Sequence, residues 1–312
     1  MPGLIDSHVH TYKYLEFIKK SSSYGVTTLL EMGNRSREIA DLNKSHKEMA
    51  NVLTCYLFAA APTTEVVNRM HYPPEVVMKT PEDGKNFVKK MVDWGADYIK
   101  IIMEEPQVNF PEEIGRAICD ESHKFNKKVI AHTTSIESMR QGLKFGLDVM
   151  THMPMSGEMP EEIIKGVVEQ KITLIPTIAM MERSAAVVKK KFPQAPVSRE
   201  TSIKNLKKFL DASAKIIAGS DATEKDPDPP SEVPYGISLL NELNYMHEAG
   251  MNNLNCLISA TSAAADFWEI NNVGVIENNR RADFLIVDGN PLEDLKNIYK
   301  ISSVWLEGKK IR

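Results

Sequence analysis

Two histidines separated by a single residue, His8 and His10, follow an apolar run near the start of the chain. In a β-strand, residues i and i+2 project from the same face, so the two imidazoles lie side by side. Their Cα atoms are then roughly 6–7 Å apart, which suits chelation of one cation such as zinc. Two ordinary strand-end histidines give the same pattern, so its meaning depends on the residues that accompany it.

Other residues that could bind a metal ion occur in or at the ends of apolar runs. Lys100 lies within one run, His132 and His152 end two others, and Asp221 directly follows Ala218-Gly219-Ser220. Taken singly, a strand-end histidine usually satisfies hydrogen bonds, and an aspartate in this context is usually a turn or helix N-cap residue. Taken together, four imidazoles, a carboxylate and a lysine at one end of a sheet indicate a metal site.

Lys100 is the unusual member of this set, because an ammonium group is a cation and cannot bind a metal ion. Nearby metal ions also disfavour the charged form of the lysine. The neutral amine can take up CO2 and form a carbamate, which replaces a positive group with a carboxylate that can bridge two metal ions.

Short β-branched runs alternate with helical patterns, which is typical of a parallel sheet. Eight strands are predicted at residues 4–8, 26–31, 53–59, 98–102, 129–132, 149–152, 173–177 and 215–219. Eight such units indicate an α/β fold with a closed (β/α)8 TIM barrel, whose active site lies at the carboxyl ends of the strands. A doubly wound open sheet is the alternative, but the first turn lacks the glycine fingerprint of a phosphate site.

The chain changes character after the eighth strand. A Pro- and Asp-rich loop is followed by predicted helices at residues 236–249 and 254–267, and then by two short strands with turns. We predict a barrel of residues 1–268 and a small β appendage of residues 269–312.

The composition is that of a soluble globular protein. The chain has 312 residues, a net charge of −4 and three scattered cysteines. The charge gives no electrostatic case for nucleic acid or an anionic membrane, and every apolar stretch is too short to span a bilayer. With no signal-peptide pattern and no disulfide framework, we expect a cytoplasmic protein that acts on a small-molecule substrate, and homo-oligomerisation stays open.

Motifs along nearly the whole chain resemble the amidohydrolase superfamily, in its imidazolonepropionase-like and prolidase-like branch. They are PGLIDSHVH at residues 2–10, GVTT at 25–28, GADYIKI at 95–101, VIAH at 129–132, GSDA at 219–222, YGISLLNEL at 235–243 and ADFLIVDGNP at 282–291. The resemblance implies a binuclear centre in which His8, His10 and Asp221 hold one metal ion, His132 and His152 hold the other, and carbamylated Lys100 and a hydroxide bridge the two.

The resemblance also implies a reaction. Two divalent ions, zinc or else Mn, Co or Fe, lower the pKa of the shared water toward about 7, and the hydroxide attacks a carbonyl group. Asp221 takes the proton and passes it to the leaving group, as a general base and then a general acid. The predicted reaction is hydrolysis of a C–N bond in a cyclic amide, an N-acyl amide or an Xaa-Pro-like amide.

Three alternatives stay open. One is deamination of a heterocycle, against which Lys100 weighs because mononuclear deaminases of the superfamily usually lack this lysine. Another is hydrolysis of an ester, lactone or phosphotriester at the same centre. The third is a metal-binding scaffold without catalysis.

The family normally has a segment before the first barrel strand that forms part of a β-sandwich. Either this sequence is short at its start or the sandwich is reduced, and an exposed sheet edge would be a liability. Substrate specificity is expected in the loops at residues 11–14, 61–74, 104–110, 180–196 and 223–234. Candidate pocket residues, each of which can instead pack within its loop or face solvent, are Tyr12, Tyr14, His71, Tyr72, Met180 and Arg183. Arg183 and Arg69 are the candidates for binding a substrate carboxylate.

Overall fold

A ring of parallel strands organises the computed structural model, which describes residues 1–46, 48–62, 64, 67–68, 71–103, 110–224 and 232–312. The strands are β1 (Leu4–Val9), β2 (Val26–Glu31), β3 (Asn51–Thr54), β4 (Phe58–Ala60), β5 (Ile99–Met103), β6 (Val129–Thr133), β7 (Val149–Thr151) and β8 (Thr173–Ile175). They pair in the orders β1-β2-β3 and β4-β5-β6-β7-β8.

Residues 215–222 close the ring between β8 and β1. Leu174 and Ile216 form an isolated parallel bridge. On the other side, the Ser7 amide donates a hydrogen bond to the Ala218 carbonyl at 3.0 Å. The predicted eighth strand thus occupies its expected place through isolated bonds, and the predicted TIM barrel is confirmed.

The predicted third strand is divided in two. β3 pairs with β2, whereas β4 pairs with β5. Tyr56, which lies between them, has a φ of 63°, and this left-handed conformation interrupts an extended strand. One apolar run of the sequence therefore forms two short strands, and each pairs with a different neighbouring strand.

Helices follow most of the strands. They are α1 (Leu15–Ser23), α2 (Arg37–Ser45), α3 (Pro81–Trp94), α4 (Glu112–Lys124), α5 (Ile136–Gly142), α6 (Glu161–Glu169), α7 (Ile178–Lys191), α8 (Arg199–Asp211), α9 (Ile237–Glu248), α10 (Asn253–Ser259) and α11 (Ser262–Trp268), with short 3-10 helices at Pro74–Val76 and Leu295–Tyr299. Local signals set several starts: Thr80 and Asp83 form a capping box at α3, and Ser198 caps α8.

The single helix predicted at residues 254–267 is two helices, α10 and α11. The carbonyls of Ser259 and Ala260, at the break, accept hydrogen bonds from the amides of Ala218 and Ile5 at 3.1 and 2.7 Å. These carbonyls accept hydrogen bonds from β1 and from the closing segment 215–222 instead of from the next helical turn. The break therefore results from hydrogen bonds to distant parts of the chain, which the helical periodicity of the sequence cannot predict.

Apolar side chains from successive strands form a core inside the barrel. They include Ile5, Leu30, Tyr98, Ile130, Val149, Ile175 and Ile217. Trp268 at the end of α11 packs against them, with its ring 5.1 Å from that of Tyr98. A larger cluster joins strand residues such as Val129 to helix residues such as Phe17. The barrel is thus filled below its mouth.

A small antiparallel sheet follows the barrel, as predicted. It contains β9 (Phe284–Val287), β10 (Ile301–Leu306) and β11 (Lys309–Lys310), in the order β11-β10-β9. The Leu285 amide also donates to the Met1 carbonyl at 3.0 Å. β9 therefore has partners on both of its edges. Among the described residues, no helix is both long and apolar enough to cross a membrane.

The Tyr98 hydroxyl supports the break between β3 and β4, because it donates to the carbonyls of Glu31 and Leu53 at 2.8 and 3.2 Å. Tyr98→Phe leaves these carbonyls without that donor in a buried site. We expect the free energy of unfolding to fall by about 1–2 kcal/mol, measured by urea denaturation. The half-exposed Tyr299→Phe is the control and should change stability little; equal effects of the two changes would contradict the role of Tyr98.

Candidate metal centre

β1 carries His8 and His10 to the mouth of the barrel. The register between β1 and β2 shifts between Leu4 and Ile5 and shifts back between Asp6 and Val9. Irregular pairing of this kind commonly redirects side chains next to active sites. The two imidazole centroids lie 5.4 Å apart.

Asp221 completes a cluster with these histidines. The Nε2 atoms of His8 and His10 both lie 3.3 Å from Oδ1 of Asp221. One potential ligand atom from each residue lies within 4.8 Å of the other two. Asp221 adopts a φ of 55°, and its amide donates to the His8 carbonyl at 2.8 Å. A backbone conformation that few aspartates adopt thus brings a carboxylate between two imidazoles.

His132 and His152 lie beside this cluster. Their ring centroids are 4.3 Å apart, and the His152 ring is 5.0 Å from that of His8. Nδ1 of His152 forms a hydrogen bond with the Thr177 hydroxyl at 2.7 Å. Nε2 of His152 is buried and has no hydrogen-bond partner among the described residues. This nitrogen is therefore in place to act as a ligand.

Lys100 lies beneath the histidines, and its residue surface is 1% exposed. Its Nζ donates a hydrogen bond to Oγ1 of Thr151 at 3.3 Å. Burial lowers the pKa of Lys100 to about 8, although the nearby Asp221 opposes this shift. The structure therefore brings all six residues predicted from the sequence to one mouth, where burial makes the lysine easier to deprotonate than an exposed one.

Burial also controls the charge of the imidazoles. It lowers the pKa of His8 well below its usual value, with Lys100 adding to the effect, and does the same for His152, where His132 adds to it. Burial opposes protonation of His10 too, but the hydrogen bond and charge of Asp221 outweigh it and raise the pKa. Neutral imidazoles are the form that binds metals, so His8 and His152 are prepared for this role.

Asp6 is a buried acid that the sequence analysis did not single out. Its Oδ1 accepts from the Ser220 amide at 2.9 Å, and its Oδ2 accepts from the Ser220 hydroxyl at 2.6 Å. Burial raises its pKa to about 7 despite these bonds. Asp6 thereby ties β1 to the residue preceding Asp221. The signal in the sequence was a charged residue inside an apolar strand.

Glu31, the last residue of β2, was also missed. Its Oε2 accepts from the Thr54 hydroxyl at 2.8 Å and its Oε1 from the Gly33 amide at 3.0 Å. Burial raises its pKa to about 7, partly opposed by His10. The strand-end rule that indicated the histidines applies to Glu31 as well.

The predicted pocket residues have different positions. Tyr12 stacks on His10, with centroids 5.8 Å apart and planes inclined by 15°. Tyr72 packs against Phe58 and donates to the Gly33 carbonyl, which is a loop-packing role. Of the other candidates, Tyr14 packs against Phe17, and His71 is exposed. Met180 and Arg183 lie in α7, a helix that occupies much of the segment 180–196 predicted as a loop. Arg69, residues 104–109 and residues 225–231 lie outside the described residues.

The sequence matches the amidohydrolase family over residues 1–311. The chain belongs to the amidohydrolase family. It is therefore a metal-dependent hydrolase, which confirms the resemblance read from its motifs, and the cluster of His8, His10 and Asp221 is consistent with this dependence. A search of curated protein sequences found no match to this amidohydrolase.

Solved structures share the fold of this amidohydrolase. An Xaa-Pro dipeptidase with bound methionine is 22% identical, with a TM-score of 0.81 over 100% of this chain and 86% of its own. A putative prolidase from Bifidobacterium longum is 23% identical, with a TM-score of 0.81 over 100% and 80% of the two chains. Molinate hydrolase is 20% identical, with a TM-score of 0.79 over 99% and 82%.

Glu31 should make the stability of the metal-free protein depend on pH. Its pKa is about 7 in the folded chain and 4.5 ordinarily, so the folded state holds a proton that the unfolded state releases between these values. This contribution to stability therefore decreases as the pH rises from 4.5 to 7. Between pH 5 and pH 8, the stability of the wild type should fall relative to Glu31→Gln by roughly 2–3 kcal/mol.

Chemical denaturation of both proteins in a chelator, at several pH values, measures this difference. Glu113→Gln, at an exposed position, controls for the loss of one negative charge. A difference between wild type and Glu31→Gln that stays constant from pH 5 to pH 8 would show that Glu31 does not titrate in this range.

Proposed function

We propose that this amidohydrolase is a binuclear enzyme that hydrolyses a C–N bond in a small cyclic amide, N-acyl amide or Xaa-Pro-like amide. The observation that carries the proposal is the convergence of six groups of ligand type at the carboxyl ends of the barrel strands. Among them, His8, His10 and Asp221 each place a ligand atom within 4.8 Å of the other two.

The donor set fits two divalent cations. His8, His10 and Asp221 would hold one ion, and His132 and His152 the other, with a carbamate on Lys100 between them. The buried Nε2 of His152, which has no hydrogen-bond partner among the described residues, supports this assignment, because buried polar atoms otherwise find such partners. Imidazole and carboxylate ligands suit zinc as well as Mn, Co or Fe.

Bound divalent ions would supply water of lowered pKa and polarise the substrate carbonyl. The chain's own residues contribute the rest of the chemistry. Asp221 accepts a proton from the attacking water and delivers it to the leaving nitrogen, because its carboxylate projects between the two imidazoles at the mouth. Thr151 holds Nζ of Lys100, and burial lowers the pKa of this amine to about 8, which eases the loss of the proton that carbamate formation requires.

The substrate class rests on the geometry together with the solved relatives. Two of them are described as an Xaa-Pro dipeptidase and a putative prolidase, and their folds cover this entire chain. Others are described as molinate hydrolase and phenylurea hydrolase B. An amide-type C–N bond is therefore the reaction centre we assign to this site.

Turnover by the reconstituted protein tests the proposal. The protein is loaded with Zn or Mn in bicarbonate, its metal content is measured, and Xaa-Pro dipeptides, N-acyl amino acids and cyclic amides are compared with lactones, esters and heterocyclic amines. Hydrolysis of amides at two metal ions per chain is expected. Turnover restricted to esters or to ammonia release would overturn the bond assignment, and no turnover by the metal-loaded protein would favour a scaffold.

Lys100→Ala should lose metal and activity together, because the carbamate that joins the two ions cannot form. Metal content by atomic absorption and turnover of the best amide are the measurements. Lys165→Ala, at a well exposed lysine, is the control and should retain both. Full metal occupancy in Lys100→Ala would rule out the carbamate bridge.

Asp221→Asn should keep much of the metal but lose turnover by about 10²–10⁴-fold, since the amide retains a ligand oxygen and cannot carry the proton. The kcat and the metal content are measured on the same preparation. A rate near that of the wild type would exclude Asp221 as the proton carrier.

A further inference from the structure

The start of α7 has an unusual arrangement beside the metal centre. Its N-cap residue, Thr177, has φ 46° and ψ 45°, and its side chain makes no capping hydrogen bond to the helix. The hydroxyl lies instead 2.7 Å from Nδ1 of His152. A threonine at a helix start usually satisfies a free amide of the first turn, so its hydroxyl has been diverted to the histidine.

A distant carboxylate supplies the missing cap. Oε2 of Glu242, on α9, accepts a hydrogen bond from the Ala179 amide at 2.9 Å. Glu242 is fully buried, and burial raises its pKa to about 8, against which the amides of Ile178 and Ala179 act. The residues immediately after Thr177 are thus anchored to another helix.

The conformation of Thr177 needs such an anchor. A β-branched residue in the left-handed region is strained and persists only where the surrounding structure holds it. The Thr177 carbonyl accepts from the amides of Met180 and Met181, which begin the helix but do not fix its position relative to His152. The hydrogen bond from the Ala179 amide to Glu242 fixes the start of α7 against α9.

We propose that Glu242 is a positioning residue that holds Thr177 so that its hydroxyl accepts from Nδ1–H of His152 and leaves Nε2 for the metal. The inference rests on the proposed binuclear function, because it assigns His152 as a ligand. Groups that fix the second nitrogen of a ligating histidine typically change metal affinity by about 10–100-fold when they are removed.

Two conservative changes at Glu242 separate the length of the side chain from its carboxyl group. Glu242→Gln keeps the length and an acceptor oxygen but loses the carboxyl group, whereas Glu242→Asp keeps the carboxyl group but is too short to reach the Ala179 amide. The proposal expects Glu242→Asp to weaken zinc binding about tenfold and Glu242→Gln to retain most of it. Zinc affinity is measured by competition with a chromophoric chelator, and thermal unfolding of the metal-free proteins is measured in parallel.

Thr177 provides the second half of the test. Thr177→Val removes the hydroxyl and should lower zinc affinity about 10–100-fold, while Thr177→Ser should retain it. Because Glu242 acts through this hydroxyl, Glu242→Asp should cause no further loss in the Thr177→Val background. Ser198→Ala removes the N-cap of the neighbouring α8 and is the matched control, which should lower thermal stability without changing zinc affinity.

Several outcomes would overturn the inference. Wild-type zinc affinity in Glu242→Asp would do so, as would an equal loss from Glu242→Asp in the wild-type and Thr177→Val backgrounds, or a loss in Glu242→Gln with retention in Glu242→Asp. Failure of the wild type to bind zinc would instead overturn the proposed function. Binding by the wild type with a loss only in Thr177→Val would exclude a role for Glu242 and leave the metal centre intact.

Discussion

Closure of the barrel between its first strand and residues 215–222 is the constraint on which the site depends. The backbone bond from the Asp221 amide to the His8 carbonyl and the bonds between Ser220 and Asp6 join parts of the chain more than 200 residues apart. Without this junction His8, His10 and Asp221 do not meet. Ordering such a distant contact is entropically costly, and the packed barrel interior offsets that cost.

Burial then sets the electrostatic character of the mouth. It favours the neutral forms of His8, His152 and Lys100, and it raises the pKa values of Asp6 and Glu31 as well. The neutral imidazoles of His8 and His152 are prepared for cations, because ligands must be unprotonated to bind them, whereas the raised pKa values of Asp6 and Glu31 favour the protonated acids. Hydrogen bonds from backbone amides and hydroxyls hold the acids in place.

Much of this architecture was predictable because it follows local periodicity. The order of strands and helices, the β appendage and the six residues at the mouth were all found from apolar runs and the polar residues that end them. Glu31 obeys the same rule and was overlooked. The division of the third strand at Tyr56 and of the helix at Ala260 was not predictable, because both breaks depend on hydrogen bonds with distant elements.

The sequence by itself determined which chemical groups stand at the ends of the strands, because strand periodicity and barrel topology place those ends on one face. Only the tertiary structure decided how they are aimed. The left-handed backbone at His152, Thr177 and Asp221 depends on contacts from elsewhere in the fold. Glu242 is the clearest case: its helix reads as an ordinary amphipathic segment, and its role beside Thr177 exists only because α9 packs on α7.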